Sequence, residues 1–336
     1  MMRDSNVSLV NRDGAVSIVI PSWNGIALLG PCLDGVARMT SSDVRVIVVD
    51  DGSDDDSASW LARHYPYVTV IKQPVRRGFA AAVNAGILAC RTPYIALLNN
   101  DAIPEPHWIQ TSIRTLNLLP AYAACVPKIV YIDDPSIINS VGIDLKWYGA
   151  SGDIGIGEPD DGRFDSYAEV FGFTGCAVVF RRDAVSAVGL FDESLEAYGE
   201  DLDWTLRARA KGLRFVFCPD ARVHHRGGAS FGRRSARAVF LQSRNGVVVL
   251  AKHLPLSSLV RNGAGLVAFS VYQVLVNAVR GLGSAAFSGK VHGLRHAWSR
   301  HQGYNVSDQA RREFGNSGDP LRTGLAFRPI ESPIAE

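Results

Sequence analysis

Short apolar runs rich in valine and isoleucine alternate with amphipathic or alanine-rich stretches along the first third of the chain. The runs have the composition of buried strands, and the stretches between them have helical spacing. Strands are predicted at 16–21, 44–49, 68–72 and 94–98, and helices at 25–39, 53–65, 78–89 and 106–118. This alternation predicts an α/β fold with a doubly wound, mostly parallel sheet.

The pattern is less regular in the middle of the chain. Residues 133–165 are rich in Gly and Asp, which predicts loops and short hairpins. Beyond them we predict a strand at 178–181, helices at 182–188 and 202–211, and a short strand at 215–218 that ends at Pro219. After His225 the sequence is helical, basic and apolar. We therefore expect an α/β domain over residues 1–230 and a mainly helical region over residues 231–336.

Composition indicates a folded protein of a reducing compartment. The hydrophobic content of 47% is ordinary for a globular chain and excludes a disordered one. The cysteines are scattered, odd in number and without metal-type spacing, which predicts buried thiols: Cys32, Cys90, Cys125, Cys176 and Cys218. The opening MMRDSNVSLVNRDG is polar, so no signal peptide is predicted there. A cytoplasmic location is expected.

The net charge of +2 hides an uneven distribution. No acidic residue lies between Asp220 and Asp308, while the basic residues of that stretch are Arg222, Arg226, Arg233, Arg234, Arg237, Arg244, Lys252, Arg261, Arg280, Lys290, Arg295 and Arg300. The rest of the chain is therefore acidic. The sequence predicts an acidic α/β domain followed by a region of uncompensated cations.

The basic region contains an apolar segment over residues 263–279 whose polar residues fall on one side of a helix: Ser270, Gln273, Asn277 and Arg280. The segment is shorter than the ~20 residues of a typical membrane span. It could pack on its own domain or at a homo-oligomer interface. Alternatively, it could lie on an anionic membrane, with lipid contacts from Leu266, Phe269 and Leu275.

Two of the predicted strands end in polar clusters. One ends at Asp50 and Asp51, and the other at Asn99, Asn100 and Asp101. The carboxyl ends of parallel strands share one edge of the sheet, where ligands bind in open α/β folds. Carboxylates there can bind a base or ribose, or a divalent cation that in turn holds phosphate. The pattern therefore predicts a nucleotide-diphosphate site.

The motifs VSIVIPSWNG, VVDDGSDDDS, GFAAAVNAG, LLNNDAIP and GEDLDWTLRARAKG occur in this order between about residues 16 and 230. Together they resemble glycosyltransferase family 2, inverting enzymes with a Rossmann-like GT-A fold. Within the family the chain is most similar to bacterial rhamnosyltransferases and galactosyltransferases of cell-wall and polysaccharide biosynthesis. The resemblance implies transfer of a hexosyl or deoxyhexosyl group from a UDP- or dTDP-sugar to a hydroxyl of a glycolipid or cell-surface polysaccharide.

The resemblance also implies a donor and metal site. Donor-binding residues carried over from the family motifs are Pro21, Trp23, Asn24, Asp50, Asp51, Arg77, Asn84, Asn99 and Asn100. Asp101 ends the segment that corresponds to the D-x-D motif, although its first position is Asn99 here, and is expected to bind Mg²⁺ or Mn²⁺ with His225. His225 fits the family spacing better than His224. Helix capping by Asp50 and Asp51, and for Asp101 an Asx turn at the strand end before Pro104, remain structural alternatives.

The segment 198–211 carries the expected chemistry. Inverting transfer needs one carboxylate to take the proton of the acceptor hydroxyl. By the family motif this base is Asp201, with Glu200 as a support, and Asp203 is expected to pair with Arg207 four residues later. Gly175 and Trp204 are expected to bind the acceptor.

Two other functions are alternatives to sugar transfer. A nucleic-acid-binding protein could use the basic region, but its cations are not interleaved with aromatic residues and the α/β domain is acidic. A sugar nucleotidyltransferase would need a loop rich in glycine and lysine after the first strand, where the sequence has PSWNG. The expected partners are thus a nucleotide sugar and its acceptor, with peripheral contact to the inner face of the plasma membrane and no nucleic acid.

Overall fold

The computed structural model of the protein describes residues 16–39, 43–227, 235–300 and 327–333. Arg233, Arg234, the side chain of Arg300 and the predicted domain boundary at residue 230 lie outside the described residues. The elements are β1 (Val16–Ser22), α1 (Ile26–Ala37), β2 (Val44–Asp50), α2 (Ser57–His64), β3 (Thr69–Lys72), α3 (Phe79–Ala89), β4 (Tyr94–Leu98), β5 (Ala102–Pro104), α4 (Trp108–Leu118), β6 (Tyr122–Tyr131), β7 (Ile138–Ser140), β8 (Ile143–Leu145), β9 (Ser151–Asp153), β10 (Ala168–Val170), β11 (Ala177–Arg181), α5 (Arg182–Val188), α6 (Glu200–Arg209), β12 (Arg214–His225), α7 (Ala236–His253), α8 (Leu256–Val279), α9 (Gly283–Arg300) and β13 (Phe327–Pro329).

The main sheet has the strand order β13-β10-β12-β6-β11-β4-β1-β2-β3. Its first four strands along the chain are parallel neighbours, as predicted. β11 runs antiparallel to β4 and β6, whereas β12 runs parallel to β6. Strands β8 and β9 form a separate hairpin. The fold is therefore α/β with a mixed, largely parallel sheet, which confirms the predicted class.

The sheet reverses its winding at β1, which lies between β2 and β4. In register, Ser22 is opposite Asp50, and Val19 is opposite Leu97. The carboxyl ends of these three strands consequently lie side by side. A crevice opens at such a switch point because the connections from neighbouring strands leave in opposite directions.

Apolar side chains bury both faces of the sheet. On one face Leu29 of α1, Leu61 of α2 and Trp108 of α4 join a core cluster. On the other, Val83 of α3 and Trp204 of α6 do the same. Strands covered on both faces have continuous apolar runs, which is why the sequence pattern located them well.

Two local predictions were wrong. Ser53 does not cap α2, which begins at Ser57 with Asp56 at the N-cap position. Pro219 does not end a strand, because β12 continues through a register shift between Cys218 and Arg222. A bulge tolerates proline, since the missing N–H is not needed there. The strands β6 and β13 were not predicted at all.

The C-terminal helix α7 packs on the α/β domain, and α9 packs on α7. Asp203 of α6 is buried and accepts from His253 Nε2 at 2.8 Å, while Arg207 Nε lies 2.9 Å away, as predicted. Asn245 Nδ2 donates to backbone carbonyls of the segment before α6. At Gly289 an added Cβ would lie 2.5 Å from the Phe240 carbonyl oxygen, so α9 crosses α7 closely. β13 returns to the main sheet, where Arg328 pairs with β10.

Helix α8 packs against α9 and the β8–β9 hairpin and leaves one side exposed. By length and composition it is the one helix among the described residues that could cross a membrane, and none of its apolar window is buried in the protein. Its most exposed apolar residues are Val279 by 91%, Val260 by 75%, Val267 by 64% and Leu275 by 60%. The polar residues Ser270 and Gln273 line a cavity together with the apolar Leu259, Leu266 and Phe269. The exposed side of α8 is thus largely apolar, and the side toward the cavity carries both polar and apolar residues.

Candidate active site

The turn after β1 is held by the turn after β2. The Asn24 N–H donates to Ser53 Oγ at 2.9 Å, and Asn24 Oδ1 accepts from the Asp54 N–H at 2.9 Å. Asn24 has a φ of 47°, a left-handed conformation that asparagine tolerates. Asp50 is buried and accepts from the Ser53 N–H at 2.9 Å. In this structure Asp50 therefore holds the turn that follows β2 and does not cap α2, whose N-cap residue is Asp56.

Arginines gather beside these turns. The Asp51 carboxylate accepts from the N–H groups of Arg77 and Gly78, both at 2.8 Å. Burial raises the pKa of Asp51, and these donors act in the opposite direction. The Arg76 guanidinium lies 3.5 Å from the centre of the Trp23 ring, a cation–π contact. A cavity of about 310 Å³ is lined here by Arg76, Arg77, Gly78, Glu196 and Arg237.

The end of β4 carries the next group of polar side chains. Asn100 Nδ2 donates to Ser22 Oγ at 3.0 Å, which joins the ends of β1 and β4. A Cβ at Gly25 would lie 2.5 Å from both of these atoms, so a side chain there would force them apart. Asn99 Oδ1 is buried and has no hydrogen-bond partner among the described residues. An unsatisfied buried oxygen of this kind indicates a site for a ligand or ion.

Strand pairing brings His225 to Asp101. His225 is opposite Ala102 in the β12–β5 pair, and its Nε2 lies 3.2 Å from Asp101 Oδ1. Its Nδ1 lies 2.9 Å from Asn139 Oδ1, which is an acceptor, so Nδ1 donates there and Nε2 is the nitrogen that faces Asp101. Nε2 forms no hydrogen bond within the described part of the chain. His224 instead pairs with Glu105, which supports the choice of His225.

Asp101 and His225 have the donor chemistry of part of a divalent-cation site. The unpaired Nε2 of His225 and the orphaned Oδ1 of Asn99 are buried atoms that fit such an ion. Among the described residues no group of three or more His, Cys, Asp or Glu could hold a metal alone. A cation at this pair would need further oxygens, which a diphosphate can provide.

Two acids begin α6. Gly199 precedes them with a φ of 92°, a conformation that favours glycine. Asp201 Oδ2 accepts from the Gly175 N–H at 3.3 Å, and its Oδ1 accepts from the Leu202 N–H at 2.8 Å. Glu200 is buried, and its Oε2 has no partner within the described residues. The two carboxyl groups are thus held differently although they are neighbours.

Burial separates the protonation states of these acids. It raises the pKa of Glu200 well above the usual range, and the charge of Asp201 raises it further. Burial also raises the pKa of Asp201, but backbone N–H donors at Leu202 and Gly175 stabilise its charged form. Glu200 therefore holds its proton more strongly than Asp201, so Asp201 is the member of the pair that ionises first. This supports the predicted roles of base and support.

Sequence reasoning missed one acid of the site, Asp153 at the end of β9. Its Oδ1 is buried without a hydrogen-bond partner among the described residues. The side chain lines the cavity that also contains Asp101 and Asp201. Burial raises its pKa to about 6, with a contribution from the charge of Asp201. Asp153 lies in the irregular segment 133–165, where no periodicity or motif distinguished it from other loop acids.

Asp153→Asn is expected to stabilise the protein at pH 7.5 by about 1–3 kcal/mol, since a pKa unit corresponds to about 1.4 kcal/mol. The acid titrates near 6 in the folded state and has an ordinary value of 3.8. Its ionisation therefore opposes folding fully above pH 6 and not at all below 3.8. Urea unfolding at pH 7.5 and pH 4.0 measures this difference. The exposed Asp133→Asn is the control, and stabilisation of equal size at both pH values would contradict the assignment.

A cavity of about 920 Å³ brings most of these groups together. The predicted site residues that line it are Pro21, Asn99, Asn100, Asp101, Gly175, Glu200, Asp201 and His225. A Cβ at Gly175 would lie 3.2 Å from the Phe79 ring, so the glycine keeps this wall open. The Asp101–His225 pair and the acids of α6 therefore face one space.

Three predicted contacts have packing roles in the structure. Trp204, expected at the acceptor, is wholly buried and donates from Nε1 to the Gly189 carbonyl at 2.8 Å. Its indole belongs to the aromatic core and does not line the cavity. Asn84 is buried and bonds the backbone of Phe191 in both directions. The Arg77 guanidinium pairs with Glu193 at 2.6 Å. Its backbone N–H donates to Asp51.

The expectation of an uncompensated basic region was wrong for several residues. Arg237 and Arg244 both pair with Glu196, and Lys252 pairs with Asp192 at 2.9 Å. Acids of the α/β domain thus neutralise cations of α7, because the two regions pack together. Further corrections concern Leu266 and Phe269, which line the cavity, so of the three predicted lipid contacts only Leu275 is on the exposed side of α8.

Comparisons with known proteins agree with this architecture. The chain is 28% identical over 275 residues to a pre-mycofactocin glycosyltransferase of Mycobacterium tuberculosis (strain H37Rv), covering 81% of this chain and 54% of that protein. It is 35% identical over 104 residues to a chondroitin synthase of Escherichia coli, covering 30% of this chain and 15% of the synthase. The chain spans about half the length of the first of these relatives.

Solved structures show the same fold. GalNAc-T7 with UDP, GalNAc and Mn²⁺ superposes with a TM-score of 0.57 at 17% identity, over 71% of this chain and 50% of that one. The mannosyltransferase PcManGT from Pyrobaculum calidifontis, in complex with GDP-Man and Mn²⁺, gives 0.53 at 16% identity, over 85% of this chain and 88% of that one.

The model of the family described as glycosyl transferase family 2 matches residues 17–189. This match spans slightly more than half of the chain and contains β1, β2 and β4, whose polar ends meet at the crevice. The protein belongs to glycosyltransferase family 2.

Proposed function

We propose that the protein transfers a sugar, with inversion, from a nucleotide-diphosphate donor to a hydroxyl group of an acceptor. The observation that carries this proposal is the shared cavity, in which Asp201 and the Asp101–His225 pair face the same space. A base for the acceptor and a site for the diphosphate are the two requirements of the reaction. Loss of transfer with retained donor binding in Asp201→Asn tests it.

The chemistry follows from these groups. Asp201 takes the proton of the acceptor hydroxyl while the hydroxyl oxygen forms a bond to the anomeric carbon. The bond from that carbon to the diphosphate oxygen breaks at the same time, and the nucleoside diphosphate leaves. A divalent cation held by Asp101 and His225 would neutralise the leaving group. No acid catalyst is then needed, so the neutral Glu200 can donate a hydrogen bond to the acceptor.

The donor-binding residues lie at the turns that follow β1, β2 and β4. The turns at Trp23 and Asn24, with Asp51 and the backbone of Arg77, frame the crevice for the base and ribose. Asn99 and Asn100 border the diphosphate. The sequence resemblance favours a UDP- or dTDP-sugar with a hexosyl or deoxyhexosyl group. The GT-A neighbours were solved with Mn²⁺, which supports Mn²⁺ or Mg²⁺ as the cofactor.

We also propose that α8 contacts the inner face of an anionic membrane. The outward side of α8 is largely apolar and exposed, whereas Ser270 and Gln273 line the cavity. The nearby Arg280 and Arg295 are exposed, and no acidic residue occurs in α8 or α9. Apolar burial and attraction to anionic headgroups are the two contributions that hold an interfacial helix.

Replacing Val260, Leu275 and Val279 together by Ser is expected to reduce co-sedimentation with anionic vesicles at least about tenfold, because each buried apolar side chain contributes about 1.5–3 kcal/mol. Binding of the wild type should fall as salt rises, since cations near the surface contribute about 1 kcal/mol each. A matched control replaces the equally exposed Tyr67, Val75 and Leu88 of the α/β domain by Ser. Equal recovery of both triple variants, or of wild type on neutral and anionic vesicles, would contradict membrane contact.

A further inference from the structure

The cavity has a second half that the transfer chemistry does not use. Away from Asp101 and Asp201 it continues between the C-terminal helices and the β8–β9 hairpin. Its walls there are largely apolar, and their main residues are Ile143, Tyr148, Leu250, Leu259, Leu266 and Phe269. We call this half the helix chamber. It adjoins the catalytic acids without an intervening wall, because both halves belong to one cavity.

The hairpin between β8 and β9 closes the chamber on one side. The Tyr148 ring packs edge-on against Phe269, with centroids 5.4 Å apart. Gly149 has a φ of 82°, and a Cβ there would lie 2.6 Å from a Leu266 methyl group. The hairpin is therefore fitted closely to α8. The same hairpin carries Asp153 to the catalytic half, so one element borders both halves.

One cation faces this apolar space. Lys290 of α9 is, among the described residues, the only Lys or Arg that lines the cavity. Its ammonium donates to Gln273 Oε1 at 2.7 Å and has no carboxylate partner in the described part of the chain. Burial lowers its pKa to about 8. A charged group held in an apolar chamber without a counter-ion is costly unless a ligand supplies one.

The chamber opens onto the exposed side of α8. Val267, Val271 and Leu294 line the cavity, and they are also exposed by 64%, 51% and 63%. An apolar ligand could therefore enter from the outer surface of α8 and α9 without crossing the polar half. The mouth, the apolar walls and the single cation describe one kind of ligand, an amphiphile with an anionic group.

We propose that the helix chamber binds the acceptor, and that this acceptor joins an apolar chain to a phosphate or carboxylate held by Lys290 and Gln273. The inference rests on the proposed transfer reaction, since the acceptor hydroxyl must reach Asp201. The apolar chain lies among Leu250, Leu266 and Phe269. Lys290 is then a specificity-determining residue, and the chamber selects acceptors by their aglycone.

Gly246 of α7 offers a way to obstruct the chamber. It lines the cavity, and a Cβ built there meets no atom within 4 Å. Gly246→Leu should fill part of the chamber without a clash, and Leu favours a helix by ~1 kcal/mol relative to Gly. Gly263 of α8 also has open space at its Cβ but does not line the cavity. Gly263→Leu is therefore the matched control.

Calorimetric titration with decyl phosphate, decanoate, 1-decanol and inorganic phosphate, below micelle-forming concentrations, tests the inference. Wild type should bind decyl phosphate or decanoate at least tenfold more tightly than decanol, and inorganic phosphate weakly. The stronger of the two anions identifies a phosphate or a carboxylate. Lys290→Gln should weaken binding of decyl phosphate and decanoate about tenfold and leave binding of decanol unchanged. Lys290→Arg should retain the binding of the two anions. Gly246→Leu should weaken binding of decyl phosphate, decanoate and decanol alike. Gly263→Leu should weaken binding of none of them.

Binding of UDP and dTDP with Mn²⁺ is measured in parallel on the same variants and should not change. If wild type binds neither nucleotide, the proposed function fails. If it binds a nucleotide but decyl phosphate and decanoate bind no better than decanol, or Lys290→Gln leaves their binding unchanged, only the acceptor inference is overturned. An effect of Gly263→Leu equal to that of Gly246→Leu would likewise refute the chamber.

Discussion

Asp201→Asn is expected to bind the nucleotide-sugar donor normally and to lose transfer by about two to four orders of magnitude. The amide has the size of the carboxylate, and its single oxygen can still accept from one of the two N–H groups, that of Gly175 or that of Leu202. It cannot take the proton of the acceptor hydroxyl. The measurement is release of nucleoside diphosphate from UDP- and dTDP-sugars with a saturating acceptor, alongside donor affinity.

Glu200→Gln is the matched comparison. Because burial keeps Glu200 protonated, glutamine resembles its neutral form in size and hydrogen bonding. We expect a loss within about tenfold, consistent with removal of one hydrogen bond. The opposite ranking, an active Asp201→Asn and an inactive Glu200→Gln, would transfer the role of base to Glu200.

The pH profile provides a second reading of the same pair. Since the pKa of Asp201 is raised, kcat/KM of wild type should fall on acidification at a higher pH than an ordinary aspartate would give. Below that pKa Asp201 is protonated and cannot act as a base. A flat profile down to the ordinary range of aspartate would remove it from this role.

Asp101→Ala is expected to abolish the Mn²⁺-dependent part of nucleotide binding, because it removes the carboxylate of the proposed metal pair. In wild type, UDP or dTDP with Mn²⁺ should raise the melting temperature more than either nucleotide with EDTA. His225→Ala should weaken the metal effect in the same direction, by about 10–100-fold in metal affinity. Unchanged binding in EDTA and in both variants would refute the metal assignment.

The neighbouring acid–histidine pair supplies the control. His224 Nε2 lies 3.0 Å from Glu105 Oε1, at the other end of β5 from Asp101 and outside the cavity. His224→Ala and Glu105→Ala remove comparable groups without touching the proposed site. We expect both to keep the Mn²⁺ effect. A loss in these variants equal to that in Asp101→Ala would indicate a general disturbance of β5 and β12.

Local signals located the strands and the strand-end acids but not the long, irregular β6. β6 contains Pro127 and Lys128, which local reasoning treats as breakers of a buried strand. Lys128 is tolerated inside because its ammonium pairs with Asp160 at 2.8 Å. That acid comes from a distant loop, and no periodicity along the chain reports such a partner. The same limitation concealed Asp153.

The sequence by itself determined the α/β class, the parallel strands β1, β2 and β4, and the residue types at their ends, because periodicity and strand-end chemistry are local. The tertiary structure decided which of these residues share a space. It buried Trp204 in an aromatic core, brought His225 of β12 to Asp101 beside β5, and placed Leu266, Phe269 and Gln273 of α8 along the cavity. These outcomes depend on contacts between residues far apart in the chain, and such contacts form only when the sheet and the C-terminal helices pack together.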